Sequence, residues 1–396
     1  MALEADVRLR ENGTAAWSAR SYVVQRALEK LQAIFSNTPR TFALTLPDGR
    51  GLTFGGGTPA FRVIVRNLPT LSAIAALDEG RIADAYIGGD FDIVGDVMAV
   101  MELRSYFHDR HPISYARRFL DAFVFGQVKA NANAIKVHYE LEPEFFLSFL
   151  GETRCYTQGV FADDDEGLDE AVRRKFEYVM KECRIGPGTR MLDVGAGWGG
   201  WASYAAERGV AVTGLTISEK SREFLCSRGK PPGVEWEILK QDFFDYRPSD
   251  PFDAIVVMGV MEHLPDYPRV VKKLLELLKP GGYAFMDASA QRVKYEASSF
   301  IYRHVYPGNH SFFDLADFLT ALAKTPLRLR SVLDDRHSYY LTFKHWAQNF
   351  EAHRERIVRT FGESHFRRFQ LYLWGAAHSF ATDDLQCYRL VLEKPA

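Results

Sequence analysis

The spacing of apolar residues changes character several times along this chain of 396 residues. Over 15–35 they return at helical intervals, placing Trp17, Val24, Leu28, Leu31 and Phe35 on one face of an amphipathic helix. Between 40 and 66 the pattern alternates and is broken by Pro47-Asp48-Gly49 and Gly55-Gly56-Gly57, which predicts strands joined by hairpins. Helical spacing resumes around 69–88 and 96–107, with Gly88-Gly89-Asp90 between the two. Residues 1–110 thus read as a small α+β domain, and no catalytic constellation falls within it. Residues 111–140 read as a helical linker in which Arg117 and Arg118 accompany Phe119, Phe123 and Phe125. Such a helix can lie on a lipid surface, or it can join two domains with its basic face in water.

From about 185 the rhythm becomes one of short apolar runs alternating with helices. Strands are predicted at 190–194, 210–215, 234–239, 253–258 and 282–287, and helices at 199–208, 218–228 and 268–278. This alternation predicts a parallel sheet with helices on both faces. The segments 313–323, 339–358 and 364–380 are helical in pattern, and 385–393 reads as a closing strand. Residues 141–396 form the second domain on this reading.

Its first strand runs through Met191, Leu192, Asp193 and Val194 into Gly195-Ala196-Gly197-Trp198-Gly199-Gly200 and then a helix. Glycines there let the backbone turn tightly and let a ligand approach closely. In dinucleotide enzymes such a loop cradles pyrophosphate. An acidic residue just before the loop repels phosphate but suits a cationic amino-acid moiety, so Asp193 favours S-adenosylmethionine over NAD. The later units add to this. Gly214-Leu215-Thr216-Ile217-Ser218 follows the second strand, and Gln241-Asp242-Phe243 follows the third, where an Asp can accept from an adenine amino group beside an aromatic ring. Met261-Glu262-His263 follows the fourth. All of these fall beyond the carboxyl ends of strands, where open α/β sheets bind ligands.

Formal charge is −2, which gives no general attraction to nucleic acid, and aromatic residues make up 13% of the chain. That fraction fits a large aromatic core or an apolar cleft for a greasy substrate. Cys155, Cys183, Cys226 and Cys387 have no zinc or redox spacing and read as reduced thiols of a cytoplasmic protein. The first residues lack the apolar stretch of a secretory signal. No apolar run approaches the roughly 20 residues needed to span a bilayer. A membrane lipid, if that is the substrate, is then reached peripherally from the inner face.

On these residues the chain resembles the cyclopropane-fatty-acyl-phospholipid synthase family of class I methyltransferases. The resemblance runs over roughly 135–393 and rests on VHYELEPEFFLSFLG (137–151), CYTQGVF (155–161), LDVGAGWGG (192–200), GLTIS (214–218), QDF (241–243), MEH (261–263), FIYRHVYPG (300–308) and TFKHWAQNF (342–350), in family order and at family-like spacing. It implies a Rossmann-like sheet of seven strands with helices on both faces, preceded by the small α+β domain. It implies that Tyr156 and Thr157 hold the cofactor carboxylate together with Gly195, Ala196 and Gly197. Thr216 and Ser218 then lie near the cofactor, and Gln241, Asp242 and Phe243 surround the adenine. Lys220 and Ser221 stand where the family commonly has a ribose-binding Gln.

The departures lie in the catalytic centre. Family members hold a bicarbonate ion with a Cys, a Glu, a His, backbone beside an Ile, and a Tyr. The matching positions are Gln158, Glu262, Asp287, Ser289 and Tyr339, so only the glutamate and the tyrosine remain. Two carboxylates at such a site disfavour an anion, and bicarbonate is not expected. Glu262 or Asp287 then replaces it as base, singly or as a pair sharing a proton. Asp287 reads equally as a strand-end carboxylate bonded to backbone. Tyr339 can orient a carboxylate or pack beside Tyr340. His263 reads as a buttress of the Glu262 loop. Phe300, Tyr302 and Tyr306 line an acyl cleft or pack in the core, and Trp346 with Phe343 and Phe350 reads as core. No metal is required; His304 and His310 have no partners at ligand spacing.

The activity so implied is alkylation of an unsaturated phospholipid acyl chain at the membrane surface, giving a cyclopropane or a methyl- or methylene-branched chain. Self-association stays open, as does a redox enzyme acting on a branched product. Two other readings stay open with them. A small-molecule N-, O- or C-methyltransferase requires a polar pocket. A catalytically reduced lipid-binding homologue requires weak cofactor affinity.

Overall fold

The structure, a computed structural model, describes residues 21–109, 142–292, 298–306 and 311–396. The expected linker helix over 111–140, and the part of the first expected helix before residue 21, lie outside the described residues.

The N-terminal unit contains α1 (Ser21–Ile34), β1 (Phe42–Thr45), β2 (Gly51–Phe54), β3 (Phe61–Val65), α2 (Leu68–Ala76), α3 (Glu79–Gly88), β4 (Phe91–Gly95) and α4 (Val97–Met101). The sheet order is β2-β1-β3-β4, with β1 parallel to β3 and the other two pairs antiparallel. Asn67, Asp78 and Asp96 each accept from a backbone N–H in the first turn of the helix that follows, so three short polar residues start three helices. Inward faces of the strands meet Leu28, Leu31 and Phe35 of the first helix and its exit, and Phe42 stacks on Phe54 and Phe61. The sequence pattern did not anticipate β4. It pairs with β3 because Gly95 adopts φ +114° where a Cβ would come within 2.5 Å of the Ala60 carbonyl.

The second unit begins with α5 (Pro143–Leu147) and α6 (Leu168–Glu182), followed by β5 (Arg190–Val194), α7 (Gly200–Ala206), β6 (Ala211–Thr216), α8 (Glu219–Ser227), β7 (Trp236–Lys240) and β8 (Phe252–Met258). It continues through α9 (Tyr267–Leu277), β9 (Leu278–Gln291), α10 (Leu315–Leu322), β10 (Arg328–Asp334), α11 (Arg336–Ala352), α12 (Arg354–Phe361), α13 (Glu363–Ala381) and β11 (Leu385–Glu393). The seven strands lie in the order β10-β11-β9-β8-β5-β6-β7. From β9 to β7 they are parallel, while β11 runs antiparallel between β9 and β10. This is the α/β class I methyltransferase sheet expected from the sequence. The central strands are buried on both faces and carry near-continuous apolar runs. Three elements escaped the pattern, α5, α6 and β10.

Order reverses between β5 and β8, since the chain first builds outward through β6 and β7 and then returns to the other side of β5. The crevice at such a switch point is where open α/β sheets bind ligands. The N-terminal unit docks on α13, a contact held by more than apolar packing. Buried Arg367 donates to the carbonyls of Tyr86 (3.2 Å) and Phe91 (2.7 Å) and to the Asp92 carboxylate (2.5 Å), and the Tyr86 hydroxyl bonds the Gln370 amide oxygen. Among the described residues no helix is long and apolar enough to cross a membrane.

Candidate active site

The crevice between β5 and β8 has two walls of different chemistry. On the β5 side, the strand delivers buried Asp193 and then turns through Gly195 (φ +85°), Ala196 and Gly197 (φ +50°). A Cβ at Gly195 would sit 2.4 Å from the Val260 side chain, so only glycine brings this loop so close to the one after β8. Oδ2 of Asp193 is buried without a hydrogen-bond partner, and burial pushes its carboxyl up to about 7. An orphaned carboxylate beside a glycine cradle fits a ligand that brings its own positive charge.

The next two loops complete this wall. Thr216 Oγ1 accepts from the Ser218 N–H (3.2 Å), and Ser218 Oγ caps α8 by accepting from the Ser221 N–H (3.2 Å). Ser221 in turn donates to the Gly197 carbonyl (2.5 Å), tying this turn to the glycine loop. After β7, Phe243 is buried while Asp242 stays exposed and bonds the Phe244 N–H (2.7 Å). Gln241 reaches the Asp245 carbonyl (3.3 Å). Thr157, expected at the cofactor carboxylate, packs beside Gly259 on the loop after β8. Its buried hydroxyl lies 2.9 Å from Asp287 Oδ1 and 2.6 Å from Gln158 Oε1.

The β8 side carries Glu262 and His263 on a tight turn (Met261–His263). Glu262 Oε1 accepts from the N–H (2.6 Å) and hydroxyl (2.8 Å) of Ser289, while Oε2 is buried with no partner. Burial raises this carboxyl to about 7 against the effect of the Ser289 bonds. His263 beside it is driven down to about 4 by burial and so is neutral.

Both residues face a cavity of about 700 Å³. Tyr339, Phe300, Tyr302 and Tyr306 also stand in its wall, with Phe343, Trp346 and Phe380, so the expected cleft residues come together around Glu262. Tyr156 is there as well. Tyr372, which the sequence pattern did not single out, hydrogen-bonds through its hydroxyl to Tyr306 and Tyr156 and so fixes two rings at once.

Asp287 and Gln158 are not in that wall. Asp287 is fully buried within β9, at the last position paired with β8, accepts from the Gly259 N–H (2.7 Å), and pairs with the equally buried Lys175 ammonium at 3.2 Å. Burial alone lowers the Lys175 amine, but the Asp287 charge and hydrogen bond outweigh it and hold it above its ordinary value. The sequence reads Asp287 as a base or as a strand-end carboxylate bonded to backbone; it lies inside β9, bonds backbone at Gly259, and has an ion-pair partner that neither reading includes. Gln158 donates to Asp335 (3.3 Å), whose carboxyl burial raises to about 6 despite Arg389 nearby. Lys175 went unnoticed in the sequence, although a signal exists. It interrupts the buried stripe Ala171, Val172, Phe176 and Val179 of α6, where a lysine needs a partner. Cys155 is buried and its thiol is pushed up by burial, as suits a bystander.

With this geometry in place, comparison with known proteins gives a consistent result. Residues 127–390 match the family described as mycolic acid cyclopropane synthetase. A probable fatty acid methyltransferase of Pseudomonas putida is 26% identical over 369 residues, covering 89% of this chain and 91% of that one. The cyclopropane-fatty-acyl-phospholipid synthase of Escherichia coli K12 is 27% identical over 267 residues, 65% of this chain and 67% of the other. Among solved structures, the mycolic acid cyclopropane synthase CmaA1 complexed with SAH and CTAB superposes with a TM-score of 0.61 at 23% identity, covering 67% of this chain and 98% of that one.

Proposed function

Since the chain belongs to the mycolic acid cyclopropane synthetase family, and is an S-adenosylmethionine-dependent methyltransferase of that kind, we propose that its acceptor is a double bond in an unsaturated acyl chain of a membrane phospholipid, with Glu262 as the base. The observation that carries this reading is the unpartnered Glu262 Oε2 in an aromatic-walled cavity.

When bound, S-adenosylmethionine supplies a methyl carbon on a positively charged sulfur. Asp193, the Gly195–Gly197 loop and the Thr216–Ser218 turn would hold it, with Gln241, Asp242 and Phe243 at the adenine. Adding a methyl group to a double bond leaves positive charge on the acyl carbons. Ring faces stabilise a desolvated cation by about 2 kcal/mol, and the Glu262 carboxylate adds charge complementarity. Glu262 then accepts a proton, a task for which ionisation near 7 suits it. A proton taken from the new methyl closes a cyclopropane while the charge sits on the neighbouring carbon, and leaves a methylene branch once a hydride shift has moved the charge to the methyl-bearing carbon; a proton taken from the chain leaves a methyl-branched alkene.

Bicarbonate has no part in this reading. Three of the side chains that match its ligands already have protein partners: Gln158 in Asp335, Asp287 in Lys175, and Ser289 in Glu262. Asp287 acts as a positioning residue that ties the loop after β8 to α6. The protein works peripherally, at the inner face of the membrane.

Mass spectrometry of phospholipids treated with the purified protein and cofactor tests the reading. Unsaturated chains should gain one CH₂, at an unchanged rate in bicarbonate-free buffer. Methylation confined to water-soluble acceptors would refute the acceptor, and strong bicarbonate dependence would refute the base.

A further inference from the structure

The cavity does not end at the aromatic wall. It continues past α13 into the N-terminal unit, where Leu31, Phe35, Leu44, Phe61, Val63 and Phe91 line it. All six are buried, and they are the core of the four-stranded sheet. A domain interior is ordinarily close-packed, yet here core side chains border open space joined to the reaction site. Their atoms offer nothing to hold a water, and open apolar space of this size is destabilising unless something apolar fills it.

Between the two halves lies a polar neck in which an ion pair of the N-terminal unit is bonded across to the second unit. Arg104 faces Glu79 at 3.7 Å and donates to Ser379 (3.1 Å), Ser298 donates to Glu79 (2.8 Å), and the Ser299 N–H donates to Asp109 (2.6 Å). These groups hold the two units in register, and Arg104 answers the charge of Glu79 where the hydrocarbon would pass.

We propose that the N-terminal unit is a chain-end pocket. It takes the methyl-terminal segment of the acyl chain whose double bond lies beside Glu262, and so it sets the chain length the enzyme accepts. The methyl end is specified because the compartment is lined by apolar core side chains while a head group must stay in water. The proposal rests on the acyl-acceptor reading above.

A series of cis-monounsaturated fatty acids that differ only beyond the double bond provides the test, with affinity for the full chain measured by calorimetry. Each added methylene should tighten wild-type binding about fourfold until the pocket is full. Val63→Trp fills the compartment, and Val63→Phe does so more gently should the indole disturb folding; cooperative thermal unfolding checks both. Either variant should cap the series early, weakening the longest chain by up to roughly 50-fold, the worth of about three methylenes, and leaving the shortest unchanged. Equal weakening at every length, or wild-type affinity indifferent to the distal segment, overturns the chain-end pocket and leaves the acceptor reading standing. Failure to bind any acyl chain, alongside turnover of a soluble acceptor, removes both.

Discussion

Replacing Glu262 by Gln separates the energetic consequence of this residue from its chemistry. Gln keeps an oxygen for the Ser289 N–H and hydroxyl and puts an amide where Oε2 now has no partner. The Glu262 carboxyl ionises at about 7 rather than 4.5. Because the folded value is the raised one, the native state holds this proton more tightly than the unfolded chain. Its contribution to stability is therefore complete below pH 4.5 and is lost as pH rises through 7. At about 1.4 kcal/mol per pH unit, the burden at pH 8 is about 3 kcal/mol. Glu262→Gln removes that burden. The variant should match wild type in chemical denaturation at pH 4.5 and exceed it by up to about 3 kcal/mol at pH 8. Its turnover, followed by the mass gain of unsaturated lipid, should fall by roughly 10² to 10⁴, the usual worth of a positioned general base. Wild-type single-turnover rate should also rise with pH through about 7, and this rise should vanish in the variant. Retention of activity within a few-fold, or a stability difference independent of pH, would refute the assignment of Glu262 as a buried base.

Asp193→Asn should weaken cofactor binding, seen by calorimetry, by roughly tenfold or more, since a charge-assisted bond becomes a neutral one. The same change should stabilise the cofactor-free protein at pH 8 and not at pH 4, because burial raises this carboxyl to about 7 as well. Lys175→Met leaves Asp287 buried without its cation and should cost about 3–5 kcal/mol in denaturant unfolding. Adding Asp287→Asn to it should restore much of that loss; a double variant no better than the single one would deny the ion pair its role. Gly195→Ala forces a methyl into the Val260 side chain and should abolish cofactor binding while the far-ultraviolet circular dichroism stays native.

What was legible in the sequence follows burial. The strands of the second sheet that face helices on both sides are near-continuous apolar runs, and their ends carry the glycine loop, the Thr216 turn and Glu262. Position after a strand end therefore sufficed to find the crevice. β10 escaped because it is an edge strand reading RLRSVLD, with Leu329 and Leu333 largely exposed, so neither alternation nor an apolar run marks it. Tyr372 escaped because an aromatic residue on an apolar helix looks like any core residue until its hydroxyl finds Tyr306 and Tyr156. Partners were the least legible feature. Sequence put Asp287 and Glu262 at one anion-binding site, but it could not say that a lysine on α6, over a hundred positions earlier, neutralises the first and leaves the second alone.

That distribution of charge makes physical sense of the site. Of the three buried carboxylates around the crevice, Asp287 has Lys175 at 3.2 Å and two further donors. Asp193 and Glu262 each keep one oxygen without any partner. Burying a carboxylate without a cation is expensive, and a fold indifferent to function would have paired or removed both. The two orphans instead stand on opposite walls of the switch-point crevice, one beside the glycine cradle and one facing the apolar cavity. A positively charged cofactor relieves the first. On the proposed reaction, positive charge that develops on a hydrocarbon chain relieves the second, and only while that charge lasts, which is the differential stabilisation that lowers a barrier.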